Sequence, residues 1–162
     1  MEWNEVTRFE TKGNILAVKD AMIMLSKEEE SPDWPFVICD QGEYIFEINV
    51  PVPFYAHRAR IRKIDSEPTL GKEIGSVEID HSFVGIIDYE EFRDSVKKDY
   101  EEYDDWTVME LDEELSMNFS GEIAFENTKL LYVKSGDGDG IYKCYELIQN
   151  GVQVGIECVF IN

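Results

Sequence analysis

Residues 141–161 read IYKCYELIQNGVQVGIECVFI. Two apolar segments, Ile141 to Ile148 and Val152 to Ile161, flank the tripeptide Gln149-Asn150-Gly151. Because an Asn-Gly pair tolerates the positive φ angles of a tight turn, this stretch predicts a β-hairpin. Such a short connection joins antiparallel strands only, so the hairpin favours an antiparallel sheet over parallel βαβ winding.

Side chains alternate along a strand, and this alternation gives the last segment one apolar face. That face carries Val152, Val154, Ile156, Cys158 and Phe160. We therefore predict that Cys158 is a buried, reduced core thiol, and we interpret Cys144, which shares a face with Tyr142, in the same way. With Cys39, the cysteines are three in number and widely spaced, which fits neither a metal site nor a disulfide framework.

Further short apolar segments, bounded by Gly, Pro and Asn, predict a chain rich in strands. We place these strands at about Glu5–Glu10, Ile15–Asp20, Glu43–Val50, Tyr55–Ile64, Ser76–Asp80, Phe83–Ile87 and Lys129–Lys134.

One amphipathic helix is predicted from about Tyr89 to Tyr103, because apolar residues recur there at spacings of three and four. Its inner stripe is Tyr89, Phe92, Val96, Tyr100 and Tyr103. Asp88 is placed to cap its first amides, with Glu91 at the third helical position, and a second short helix is expected at 112–118. The predicted class is α+β: a mostly antiparallel β-sheet, sandwich-like or strongly curved, with one principal helix at about 89–103 packed against it.

The composition predicts a single domain over residues 1–162. The chain is 43% hydrophobic and 12% aromatic, which supplies a core without a metal or disulfide. The amino terminus lacks the basic and apolar regions of a signal peptide, and no apolar run approaches the roughly 20 residues of a membrane span. We therefore predict a cytoplasmic protein.

The charge is strongly negative: 35 acids stand against 15 bases, for a net charge of -20. Such a field repels nucleic-acid phosphates and anionic lipid headgroups, so neither a nucleic acid nor a membrane is expected as a partner. It attracts cationic partners, although many proteins are acidic merely for solubility, and that reading stays open.

No catalytic residue is assigned. His57 and His81 lie in no motif that supplies a nucleophile or carboxylate at diagnostic spacing. His81 follows Asp80, a carboxylate that would pair with it if the two side chains met, but adjacent residues on a strand point to opposite faces.

The most distinctive loop runs from Ser135 to Gly140 and contains Gly136, Asp137, Gly138, Asp139 and Gly140. It is not a phosphate-binding loop, because no Gly-Lys-Ser/Thr follows and its two aspartates repel phosphate. Asp137 and Asp139 offer oxygen ligands for calcium, but an EF-hand needs further ligands and a terminal glutamate. The sequence favours a structural turn in which these aspartates bond local amides, and at least one of Gly138 and Gly140 is expected at positive φ.

A basic stripe follows from alternation in the segment from Tyr55 to Ile64, which places Arg58, Arg60 and Arg62 on one face. An anionic ligand is one use for such a stripe. Cross-strand pairing with Glu43 and Glu47 of the preceding strand is the use that we favour.

From Gly75 onward the chain resembles a bacterial family catalogued as domain of unknown function 4241. Family members carry a mid-chain strand segment with an Asp and a Ser-Gly-aromatic-Gly-Asp-Gly-x-Tyr signature near the end. The matching segments here are Val77-Glu78-Ile79-Asp80, Gly85-Ile86-Ile87-Asp88 and Ser135 to Tyr142. Asp137 stands where the family usually has an aromatic residue, and Lys143 where proline is frequent. Bacterial domains of this size often neutralise a secreted toxin, and by this analogy the resemblance implies a binding role.

Residues 99–114 contain nine acids and no Lys or Arg. Several of them end the predicted helix, where the dipole disfavours negative charge, so local stability does not account for them. Aromatic residues lie among these acids, and such a mixture is typical of an interface with a cationic partner. The predicted partner-binding residues are Tyr100, Glu101, Glu102, Tyr103, Asp104, Asp105, Trp106 and Glu110. The competing interpretation is a solvated acidic face beside ordinary core rings.

Together these patterns predict an acidic protein-binding domain without cofactor or metal, of the kind that an immunity or inhibitor protein uses against a basic toxin. Two alternatives stay open. One is a hydrolase-like enzyme with a site around Asp80, His81 and the 135–140 loop, and the other is a module that binds a small ligand or calcium.

Overall fold

The computed structural model describes residues 1–22, 24, 34–98, 113–115, 117–125 and 127–161. Its elements in chain order are β1 (Asn4–Thr11), β2 (Ile15–Asp20), β3 (Phe36–Ile38), β4 (Gly42–Asn49), β5 (Arg58–Lys63), β6 (Thr69–Ile79), β7 (Phe83–Asp88), α1 (Tyr89–Lys98), β8 (Ser120–Ala124), β9 (Lys129–Lys134), β10 (Gly140–Gln149) and β11 (Val152–Val159).

The strands form two antiparallel sheets. A six-stranded sheet has the order β1-β4-β5-β11-β10-β6, and a five-stranded sheet has the order β3-β2-β7-β9-β8. Every pairing of neighbouring strands in these sheets is antiparallel. The predicted mostly antiparallel architecture is therefore confirmed.

The main core lies between the two sheets. Ile79 of β6 and Ile156 of β11 pack there with Val84 and Ile86 of β7, and each is at most 1% exposed. Alternation along the strands sends their intervening side chains to the opposite faces. The sheets therefore share one apolar interior, as in a sandwich.

Helix α1 covers the other face of the five-stranded sheet. Phe92 is 2% exposed and packs with Ile87, Leu130 and Leu115 in a second cluster. Because β7 is covered on both faces, residues Val84 to Asp88 form an unbroken buried run. The helix lies inside the predicted span, but the predicted continuation to Tyr103 falls outside the described residues. None of the described helices is long and apolar enough to cross a membrane.

Asp88 does not cap α1, contrary to the sequence prediction. Its Oδ2 accepts the backbone N–H groups of Lys12 and Gly13 at 2.8 and 2.9 Å, and its buried Oδ1 has no hydrogen-bond partner among the described residues. Glu90 Oε1 accepts the N–H of Asn14 at 2.9 Å. The carboxylates at the start of α1 thus hold the turn between β1 and β2.

The predicted β10–β11 hairpin is confirmed. Asn150 and Gly151 have φ angles of 54° and 76°, as a two-residue turn with both central residues at positive φ requires. Cys158 and Cys144 are buried in the main core, as predicted. Val152 departs from the predicted apolar face: it is 55% exposed, because it lies at the open end beside the turn and the register shifts between Leu147 and Ile148.

Burial raises the pKa of the Cys39 thiol from 9.0 to about 11, with a hydrogen bond involving Tyr44 acting in the opposite direction. The folded state therefore holds the Cys39 proton more tightly than the unfolded chain does. By linkage, this contribution to stability is complete below pH 9.0 and is lost as pH rises through about 11.

We expect the stability advantage of the wild type over a Cys39→Ala variant to be constant up to about pH 8. It should then shrink by at most about 2.7 kcal/mol as pH rises through the folded-state pKa, since each pKa unit corresponds to about 1.4 kcal/mol. Urea unfolding of both proteins at a series of pH values measures this difference. A difference that stays constant across the alkaline range would contradict the prediction.

Candidate functional site

The predicted partner-binding residues Tyr100, Glu101, Glu102, Tyr103, Asp104, Asp105, Trp106 and Glu110 lie outside the described residues. Their role as an interface stays a prediction. The remaining candidates, which are the glycine-rich loop, His81 and the arginine stripe, are all described.

The glycine-rich loop connects β9 to β10 and is closed by its own hydrogen bonds. Ser135 Oγ donates to the carbonyl oxygen of Gly138 at 2.8 Å, and the Tyr142 hydroxyl donates to the same oxygen at 2.8 Å. Gly136 and Gly138 have φ angles of 36° and 102°, whereas Gly140 is not in this region. The positive φ expected at one of Gly138 and Gly140 is therefore found at Gly138, and the contacts support a structural turn.

The aspartates of this loop do not bond local amides as predicted. Asp139 Oδ1 accepts the backbone N–H of Ser82 at 2.9 Å and lies 3.3 Å from the Ser82 hydroxyl. Ser135 closes the same junction, because its N–H donates to the Ser82 carbonyl at 3.0 Å. Asp139 thus ties the loop to the β6–β7 connection, where Ser82 has a φ of 66°.

Gly138 provides a test of this loop. We expect Gly138→Ala to lower the free energy of unfolding by about 1 kcal/mol or more, because a φ of 102° is strained for any side chain. The Cβ atom would also lie 3.3 Å from Ser82 Oγ. Asp137→Ala is the control, since Asp137 is exposed and forms no hydrogen bond with a described residue. Thermal melting of both variants measures the difference, and equal melting temperatures would contradict the conformational role of Gly138.

Asp20, at the end of β2, is the carboxylate that holds the β6–β7 connection. It is fully buried, and its Oδ2 accepts the N–H groups of Asp80 and His81 at 2.7 and 2.9 Å. Its Oδ1 accepts the N–H of Met22 at 2.9 Å. The same Oδ2 lies 3.1 Å from Nδ1 of His81, whose side chain is 50% exposed. The partner of His81 is therefore Asp20, and not the neighbouring Asp80 that the sequence offered.

The glycine-rich loop lies beside the connection that carries Asp80 and His81, because Asp139 accepts the N–H of the next residue, Ser82. A buried carboxylate on Nδ1 can orient a histidine as a general base. No hydroxyl or thiol of a described residue forms a hydrogen bond with the His81 imidazole. Within the described residues, no three His, Cys, Asp or Glu side chains are grouped to hold a metal ion.

The three arginines of the stripe form ion pairs with glutamates of their own sheet. Arg60 Nε and Arg62 Nε lie 3.1 and 2.6 Å from Glu47 Oε1, and Arg58 Nη1 lies 2.8 Å from Glu157 Oε2. Both glutamate side chains are less than 10% exposed. Pairing with Glu47 follows the sequence prediction, whereas Glu43 forms no ion pair within the described residues.

Other contacts complete this charged layer. Trp3 lies against Arg60, with the guanidinium carbon 4.1 Å from the ring centroid, and Arg62 Nη1 donates to the carbonyls of Ile64 and Ser66 at 3.1 Å. Burial raises the pKa of Glu157, against the opposing effect of Arg58. The guanidinium groups are thus held by the protein itself, which argues against an anion-binding stripe.

A cleft of about 700 Å³ lies between the edge strand β1 and the connection from β8 to β9. Its lining carries both charges: Arg8, Phe9, Glu10, Lys12, Glu43, Ala124, Phe125, Asn127, Thr128 and Lys129. Glu10 and Glu43 stand directly opposite each other in the β1–β4 pairing, which places like charges side by side. The cleft is large enough for a small molecule. Sequence patterns did not predict it, because the residues that line it are distant along the chain.

Comparisons with known proteins do not add a family or a function. No protein-family model, no curated protein and no solved structure matches the chain. The resemblance to the bacterial domain family therefore stays a prediction.

Proposed function

We propose that this chain is an acidic binding protein for a basic protein partner. The main support for the proposal is the excess of acidic over basic residues. With a net charge of -20, pairing every Lys and Arg with a carboxylate would still leave 20 carboxylates unneutralised. Such a surface attracts a cationic protein at long range and raises its association rate.

The ion pairs of the described residues support this proposal, because the three closely spaced arginines of β5 are mostly buried and paired with glutamates. Arg58 is bound to Glu157, and Arg60 and Arg62 are bound to Glu47. Several acids, in contrast, are exposed and form no side-chain hydrogen bond or ion pair with a described residue. Examples on three different segments are Glu67, Glu73, Glu78 and Asp137.

The contact surface in this proposal is the predicted segment from Tyr100 to Glu110. Its carboxylates steer the partner, and Tyr100, Tyr103 and Trp106 supply apolar contact. The finer proposal is that the partner is a toxin that this chain neutralises, for which the family resemblance is the support.

The experiment distinguishes a specific interface at residues 101–105 from a general effect of the protein's negative charge. After affinity purification of a partner, one variant replaces Glu101, Glu102, Asp104 and Asp105 with Gln or Asn. A control variant makes the same change at Glu67, Glu73, Glu78 and Asp137, so that the net charge is equal in the two proteins.

We expect the first variant to associate with the partner about ten-fold more slowly at low salt, and the control to lose clearly less. Raising the salt concentration should shrink both effects, since exposed charges are screened. Equal losses in the two variants would place the interface outside residues 101–105, and no loss in either would overturn the electrostatic proposal.

The toxin proposal has a separate test in cells. If a gene adjacent to that of this chain encodes a growth-inhibiting basic protein, co-expression of this chain should restore growth, and the four-residue variant should restore it less. Continued inhibition with both proteins present at matched levels would argue against neutralisation of a toxin. It would not contradict the broader proposal that the partner is a basic protein.

A further inference from the structure

Two of the three cysteines face each other inside the six-stranded sheet. Cys144 of β10 and Cys158 of β11 are direct partners in the antiparallel register, and their sulfur atoms lie 3.3 Å apart. Both side chains are fully buried. The third cysteine, Cys39, follows β3 and interacts with Tyr44 instead.

The backbone geometry of this pair suits a covalent bond. Opposite residues of antiparallel strands have Cα atoms about 4.5 to 5.5 Å apart, which lies within the range of about 4.4 to 6.8 Å seen in disulfides. The two sulfurs need to approach each other by a little more than 1 Å to reach a bond length of about 2.05 Å. Rotation of the two side chains can supply this approach without a change in strand register.

We propose that Cys144 and Cys158 are an oxidative modification site, at which a small disulfide such as oxidised glutathione converts the two thiols into a cross-strand disulfide. One thiolate attacks a sulfur of oxidised glutathione, and a mixed disulfide forms as one glutathione leaves. The second thiolate then attacks the protein sulfur of this mixed disulfide, and the second glutathione leaves. Two electrons and two protons pass from the protein to the two glutathione molecules.

The surroundings of the pair determine when this reaction occurs. The hydrogen bond with Cys144, burial and the adjacent charge of Glu157 raise the pKa of Cys158, so the folded protein holds it as a thiol. Because the thiolate is the reactive form, exchange is slow in the folded state and proceeds in the open chain. Folding then brings the two sulfurs together and selects this pairing over those with Cys39.

The bond would close a loop between positions that are 14 residues apart and would hold the register of β10 against β11. A cross-link of this kind stabilises a protein chiefly by restricting the unfolded chain. The inference concerns the hairpin core and does not depend on the proposed basic partner.

The experiment refolds the full chain from denaturant with reduced glutathione alone or with excess oxidised glutathione, and then alkylates the free thiols. With oxidised glutathione, mass spectrometry should show a protein lighter by two hydrogens before alkylation. After alkylation it should show a linked pair of peptides containing Cys144 and Cys158, and a single alkyl group, on Cys39. The oxidised protein should melt about 5 °C or more above the reduced protein.

Variants make the assignment specific. Cys39→Ala should keep the mass change, because it retains both partners. Cys144→Ala and Cys158→Ala should lose it, and mapping the bond in the unsubstituted chain gives the result even if these two variants fold poorly. Three alkylated cysteines after refolding with excess oxidised glutathione, stable glutathione adducts, or a bond that includes Cys39 would each overturn the proposal.

Discussion

Replacing Asp20 with alanine is expected to lower the free energy of unfolding by about 3 to 5 kcal/mol. The fully buried carboxylate accepts three backbone N–H groups, from Met22, Asp80 and His81, at 2.7 to 2.9 Å. Alanine would remove these acceptors together and leave partly buried donors without their partner, which costs about 1 to 3 kcal/mol for each group that water cannot reach. Urea unfolding of the two proteins measures the loss.

Asp80→Ala is the matched control for this prediction. Asp80 lies in the same connection, and its replacement also removes one carboxylate. Its side chain is exposed, however, and its hydrogen bond to Asp20 uses the backbone N–H, which alanine retains. We expect the control to change stability by less than about 0.5 kcal/mol. If the two substitutions cost the same, the buried carboxylate of Asp20 would not be what holds this connection.

The strands that the sequence predicts well are those whose apolar faces and turns are local. Asn150-Gly151 determines the β10–β11 hairpin within a few residues, and alternation identifies Cys158 as buried. The amino-terminal half of β6 was missed because residues 68–75 contain Pro68, Gly71 and Lys72, which are unfavourable in strands. Pairing with β10 holds these residues in an edge strand despite their weak propensity.

The short edge strands β3 and β8 were missed for a related reason. Each has only three to five residues, and neither shows a long enough alternation to stand out from a loop. Their strand conformation depends on β2 and β9, which supply the hydrogen-bonding partners. Local sequence therefore could not predict them.

The charged sites show a similar division between local and distant determinants. Alternation identified the arginine face and its partner Glu47 on the neighbouring strand. It could not identify Glu157, which lies 99 positions from Arg58, because strand order was not known. Asp20 gave still less signal, since a carboxylate at the end of a strand is typical of an exposed turn. Its burial comes from the connection containing Asp80 and His81, about 60 positions away.

Glu47 provides the second test with a large expected effect, because one carboxylate holds two guanidinium groups. Its Oε1 lies 3.1 Å from Arg60 Nε and 2.6 Å from Arg62 Nε, and the three side chains are between 9% and 19% exposed. At this depth solvent screens the charges only partly. Removing one partner of such a group is far more costly than the value of a surface ion pair, because it leaves the opposite charges without compensation.

We expect Glu47→Ala to lower the free energy of unfolding by about 2 to 4 kcal/mol, with a loss that changes little between low and high salt. Glu43→Ala is the matched control, since it removes the same side chain from the same face of β4 at an exposed position without an ion pair in the described residues. It should cost less than about 0.5 kcal/mol. Urea unfolding at two salt concentrations measures both values. If Glu47→Ala were as mild as the control, the arginine stripe would be stable without its carboxylate, and its guanidinium groups would again be candidates for an external anion.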